Sequence, residues 1–129
     1  MESILIIDDE AKIRSMIRLI LEREGYVVME APDGTEGIRQ FREKPADLII
    51  TDIIMPNKDG IGMIIELKKE FPGVKIIAMS GGGLNRPDGY LRGAKQLGAA
   101  CALSKPINRQ ELLRVVKDTL KGKAASQTT

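Results

Sequence analysis

Ser3-Ile4-Leu5-Ile6-Ile7-Asp8-Asp9 is a near-continuous apolar run that stops at two carboxylates, and Asp47-Leu48-Ile49-Ile50-Thr51-Asp52 repeats the pattern. Such runs suit strands covered on both faces, as in a parallel sheet between layers of helix. The segments between them change period. Ala11 to Glu24 places Ile13, Met16, Ile17 and Ile20 at helical spacing, with Gly25 as a C-terminal stop. Tyr26 to Glu30 reads as a second strand. Asp33-Gly34-Thr35-Glu36 has the form of a capping box and starts a helix through Ile38 and Phe41 that ends before Pro45. Ile61 to Phe71 is a third helix, closed by Pro72-Gly73, and Val74 to Met79 a fourth strand. A loop over 80–88, a helix over 89–97 and a strand over 101–104 follow. Asn108 and Glu111 cap a last helix bearing Leu112, Leu113, Val116 and Leu120.

Five strands alternating with five helices predict a three-layer α/β domain with a doubly wound parallel sheet. Few orders are open to five strands with right-handed crossovers, and 2-1-3-4-5 is the one expected. It places the first and last helices on one face and the middle three on the other. The domain is expected to span 1–121, with 122–129 a frayed tail.

Composition removes whole classes of function. The 129 residues are 43% hydrophobic and 29% charged, which is globular composition. There is no histidine and a single cysteine, so Ser-His catalysis, histidine ligation, an intrachain disulfide and cysteine-rich zinc sites are excluded. Aromatics are 3% with no tryptophan, against a base-stacking surface, and the net charge of +2 marks out no nucleic-acid partner. No apolar stretch approaches the ~20 residues of a membrane span. The start lacks the form of a secretory signal, so the cytoplasm is expected.

Ligands of doubly wound sheets bind beyond the carboxyl ends of the strands. Those ends carry Asp8 and Asp9, Asp52, Ser80 and Lys105. Each has an ordinary reading when taken singly: Asp8-Asp9 as a helix cap, Asp52 and Ser80 as turn residues, Lys105-Pro106 as loop. Joint placement on one rim favours chemistry. Three carboxylates a few ångströms apart need a counter-charge, and Mg²⁺ takes one or two of them with waters and substrate oxygens. A carboxylate so neutralised beside a lysine can accept a phosphoryl group as nucleophile.

In these features the chain resembles the receiver domain of two-component response regulators, from Ile4 to Leu120. The matching residues are Asp8-Asp9, Asp52-Ile53-Ile54-Met55-Pro56, Asp59-Gly60, Met79-Ser80, Gly98-Ala99 and Lys105-Pro106. The resemblance, rather than the periodicity, carries the flavodoxin-like strand order. It implies that Asp52 is the phosphoacceptor, served by a histidine kinase or a histidine phosphotransfer protein. Asp9, Asp52 and the Ile54 carbonyl would ligate Mg²⁺, with Asp8 acting through a water. Lys105 would pair with Asp52 and then with the phosphoryl group, Ser80 would be the switch hydroxyl, and the main-chain N–H groups of Ile54 and Gly81 would complete the cradle. Without histidine, the chain is the receiver and not the donor. It is expected to be a switch and not an enzyme, apart from its own phosphorylation and slow autodephosphorylation.

The departures are Ala102, where a switch tyrosine or phenylalanine is usual, and a long glycine-rich loop after Ser80. No output domain follows Leu120, so a stand-alone, chemotaxis-regulator-like receiver is expected. The loop from Gly81 to about Tyr90 is expected to order when Ser80 engages phosphate. The output partner would read the face formed by the helix over 89–97, the strand over 101–104 and the last helix. The apolar residues of the first helix cover an arc of roughly 200°, wider than a core stripe of ~100°. Met16 and Leu19 are therefore expected to lie exposed as the kinase-docking surface, although Met16 also reads, with Met63 and Met79, as core filler. Cys101 reads as a small core residue and the lysines at 117, 121 and 123 as a solvated helix end. Two other functions compete: a receiver-like module that binds constitutively, and a small Mg²⁺-dependent phosphatase. The phosphatase pattern expects an aspartate two residues after a strand-one nucleophile, where this chain has Glu10, and a cap for which there is no room.

Overall fold

Period-two alternation within each apolar run sorts the strands between two cores. The computed structural model describes residues 2–53, 60–80 and 98–122. Strands β1 (Ser3–Ile7), β2 (Val27–Ala31), β3 (Leu48–Asp52), β4 (Ile76–Ser80) and β5 (Cys101–Ser104) form one sheet in the order β2-β1-β3-β4-β5. Every neighbouring pair is parallel. Ile4 and Ile6, Leu48 and Ile50, and Ile77 and Met79 face one layer, formed by helices α1 (Ala11–Arg23) and α4 (Arg109–Leu120). Leu5 and Ile7, Ile49, and Ile76 and Ala78 face the other, formed by α2 (Gly34–Glu43) and α3 (Gly60–Glu70). The doubly wound, flavodoxin-like expectation is thus borne out. Of the helices predicted for the second layer, the one over 89–97 lies outside the described residues.

Element ends moved for local reasons. The N–H groups of Gly25 and Tyr26 donate to the carbonyls of Glu22 and Leu21, the paired closure of a helix with a left-handed glycine just past its C-cap. Gly25 has φ 94°, and Tyr26 is spent on that closure, so β2 starts at Val27. Val74 gives its N–H to Phe71, and β4 accordingly starts at Ile76 and runs through Ser80. Asp33 accepts from the Glu36 N–H at 2.8 Å and Asn108 from the Glu111 N–H at 2.8 Å, as the caps require. The predicted box at α2 is not reciprocal, because the Glu36 carboxylate turns to Arg39 and Gln40. Met63 and Met79 are fully buried, but Met16 is 38% exposed and is not core filler.

Gly37 is required by packing. A Cβ there would come within 2.4 Å of Ile7 Cδ1, the side chain immediately before the acidic pair. Gly37→Ala should therefore destabilise the protein by about 1–2 kcal/mol, overriding the roughly 1 kcal/mol that alanine gains in a helix. Urea unfolding measures it; an increase in stability would show that Ile7 yields freely.

Candidate functional site

The site begins where β1 and β3 stop side by side. Ile7 is in register with Thr51, which leaves Asp8 and Asp52 as the first carboxylates past the apolar rows. Asp52 is in turn level with Met79, so Ser80 lies one residue further along β4, buried and in register with Ser104. The Lys105 N–H donates to the Ser80 carbonyl at 2.8 Å, which carries the chain out of β5 toward the rim. Ser80 is thus the last residue of its strand and not part of a following turn.

Lys105 is the centre of charge. Its ammonium lies 2.8 Å from Asp8 Oδ2, 3.0 Å from Asp52 Oδ2 and 3.3 Å from Glu10 Oε1, with only 9% of its side chain exposed. Asp8 is fully buried and Asp52 nearly so, whereas Asp9 is exposed. Carboxylate oxygens of Asp8, Asp9 and Asp52 all lie within 4.8 Å of one another. Burial pushes the Asp8 carboxyl above its ordinary pKa, against the opposing effects of Lys105 and the Glu10 N–H. Burial also disfavours the Lys105 ammonium, but its close pairing with Asp8 and Asp52 prevails and raises its pKa. Both shifts run toward a bound proton, as expected where three carboxylates share one lysine.

These residues fit a hard divalent cation. The donor set is all carboxylate oxygen, it exceeds its local cation by two charges, and the buried Asp8 Oδ2 accepts no hydrogen bond in good geometry. Nor are the acids spent on helix capping. Glu10, not an aspartate, occupies the N-cap of α1 and makes no side-chain cap, while Asp8 Oδ1 accepts from the Glu10 N–H at 2.8 Å.

The structure brings together Asp8, Asp9, Asp52 and Lys105 and sets Ser80 beside them at the end of β4. Ile54 and Gly81, assigned main-chain roles, lie outside the described residues, as do Met55-Pro56, Asp59 and the loop from Gly81 to Tyr90. Three contributors escaped the sequence reading. Glu10 reaches Lys105, the Thr51 hydroxyl donates to the Asp52 carbonyl at 2.9 Å, and Arg14 donates to the Asp8 carbonyl at 2.6 Å. For Arg14 a signal was available: it sits in the first turn after the acidic pair, where side chains lean back toward the strand end. Cys101 is buried in the layer with α1 and α4, as expected. Among the described residues no helix is long and apolar enough to cross a membrane.

Comparison with known proteins agrees with this geometry. Residues 4–117 match the family model of the response regulator receiver domain. The transcriptional regulatory protein ResD of Bacillus subtilis is 35% identical over 98% of this chain, which spans half of that protein's length. The chemotaxis protein CheY of Halobacterium salinarum is 30% identical, with 92% of this chain and 97% of that protein covered. A crystal structure of a receiver domain protein from Clostridium thermocellum superposes with a TM-score of 0.87 at 32% identity, covering 95% of this chain and 96% of that one. By its fold, its rim of acids and lysine, and these matches, the chain belongs to the response regulator receiver domain family.

Proposed function

We propose that this receiver domain is a phosphorylation-dependent signalling switch in which Asp52 accepts a phosphoryl group from a phosphohistidine. The observation that carries the reading is the convergence of Asp52 with Lys105 at 3.0 Å inside a group of three carboxylates. In the transfer, an Asp52 oxygen forms a bond to phosphorus as the phosphorus–nitrogen bond breaks, and the imidazole keeps the electron pair. Asp8, Asp9 and Asp52, with the Ile54 carbonyl, would hold Mg²⁺, which when bound supplies positive charge to the phosphoryl oxygens. Lys105 holds the Asp52 carboxylate toward the incoming group and then pairs with the new negative charge. Ser80 and the N–H groups of Ile54 and Gly81 would bond the phosphoryl oxygens. Apart from this self-phosphorylation and slow autodephosphorylation, we assign no enzymatic activity. The receiver unit is taken as 1–121 with 122–129 a tail, acting in the cytoplasm.

Intact mass after incubation with a small acyl phosphate and Mg²⁺ tests this. One phosphoryl group gained, only with Mg²⁺, is the expected result. No gain would favour a constitutive binding module, and rapid turnover of the donor a phosphatase.

Partner surfaces follow from exposure and place. Met16 and Leu19 of α1 are 38% and 52% exposed at the acidic rim's own helix, and they supply an apolar docking surface for a kinase or phosphotransfer helix. The output partner is assigned to the face of the helix over 89–97, β5 and α4. Replacing Met16 and Leu19 together by serine should slow transfer from the cognate kinase about tenfold or more while sparing labelling by the small donor. Equal slowing of both would indicate damage to the site instead of the surface.

A further inference from the structure

We propose that Arg14 is a positioning residue for the acidic site, holding the Asp8 main-chain carbonyl so that the Asp8 and Asp9 carboxylates are presented together to a cation. The proposal rests on the metal-assisted reading above. Asp8 lies just past the end of β1. Its N–H still reaches the sheet, donating to the Ala31 carbonyl at 3.2 Å, but its carbonyl belongs to the peptide that turns away toward α1. Arg14 Nη1 donates to that carbonyl at 2.6 Å from the first turn of the helix. The peptide is planar, so fixing its oxygen fixes the direction in which Asp9 leaves.

The guanidinium is itself held. Its Nε donates to Glu30 at 3.0 Å, and the other oxygen of Glu30 accepts from Arg18 at 2.8 Å, while Arg18 also donates to Glu22 at 2.9 Å. A surface ion pair of this kind is ordinarily worth little, and the half-exposed Arg18–Glu22 pair fits that description. Arg14 differs in being mostly buried and in spending one arm on main chain. Two arginines and two glutamates also sum to zero charge, so this brace orients the peptide without competing with a cation for the acids. Lysine cannot replace it, because a single ammonium lacks the rigid fork that serves the carbonyl and Glu30 together.

The test compares wild type, Arg14→Ala, Arg14→Lys and Asp47→Ala, the last removing the carboxylate that accepts from the Ser3 N–H at 2.8 Å at the opposite end of β1. Mg²⁺ affinity is measured by calorimetry on the unphosphorylated protein, and the Asp8 carbonyl carbon resonance is read by NMR without metal. Both Arg14 variants should bind Mg²⁺ about tenfold more weakly, with the resonance displaced in each. Asp47→Ala should lose thermal stability yet keep affinity and resonance. Wild-type affinity in Arg14→Ala, an undisplaced Asp8 resonance, or equal weakening in Asp47→Ala would overturn the proposal. A wild type that binds no Mg²⁺ and takes no phosphoryl group would overturn the functional reading beneath it instead, a result distinct from binding that survives loss of Arg14.

Discussion

Asp52→Asn should take up no phosphoryl group from a small donor, a fall in labelling of more than about a hundredfold, while the protein stays folded. Among the acids at this rim, Asp52 is the one paired with Lys105 at the end of a central strand and level with the Ser80 end of β4. Asp8 instead has one oxygen bonded to the Glu10 N–H and the other against Lys105, fully buried. Mg²⁺ binding should weaken and persist, since Asp8 and Asp9 remain. Without metal the variant should be no less stable than wild type, because one of three crowded like charges is gone. Intact mass and urea unfolding read both effects. Equal labelling of the variant would move the acceptor role to another side chain.

Lys105→Ala should cost about 3 kcal/mol of stability at neutral pH in the absence of metal, the usual consequence of removing one partner from buried charges. It strips the fully buried Asp8 of the only ammonium within an ion-pair distance among the described residues, and it does the same to Asp52. The deficit should depend on pH, with a sign that follows from the two shifts. Asp8 has its folded-state pKa raised by burial, so its contribution is favourable below its ordinary value of 3.8 and is lost as pH rises through the folded value. Lys105 has its pKa raised as well, so its pairing stabilises at neutral pH and is lost only above the ordinary 10.5. Near about pH 4 the exposed deficit of charge is relieved by protonation, and the variant should approach wild type. Added Mg²⁺ should restore part of the loss at neutral pH. Urea unfolding across that range checks it. A constant deficit would show that Lys105 contributes packing and not charge.

Most of this architecture was legible from local pattern. Apolar runs of strand length and helical spacings between them identify all five strands and the four described helices, because each period is a property of neighbouring residues. The ends were less legible. β2 yielded Tyr26 to the closure of α1, and β4 yielded Val74 to a turn and gained Ser80, since a backbone N–H goes to whichever carbonyl the fold brings near. The capping-box pattern at α2 is half fulfilled for the same reason: Glu36 has Arg39 and Gln40 beside it. Met16 carried two readings, core filler and exposed residue of α1, and its exposure excludes the first.

By itself the amino-acid sequence determined that acids and a lysine stand at strand ends, and hence on one rim of a parallel sheet. That follows from alternation and from the common direction of the strands. How those charges divide was decided only by the tertiary structure. Lys105 and Asp52 are 53 residues apart, and their 3.0 Å contact exists because the register sets Asp52 level with Met79 and Ser80 level with Ser104. The same register places the buried Asp8 against Lys105 and lets Arg14 reach back to its carbonyl. Separations of this kind depend on how helices seat against the sheet, a sum over the whole core that no single stretch of residues specifies.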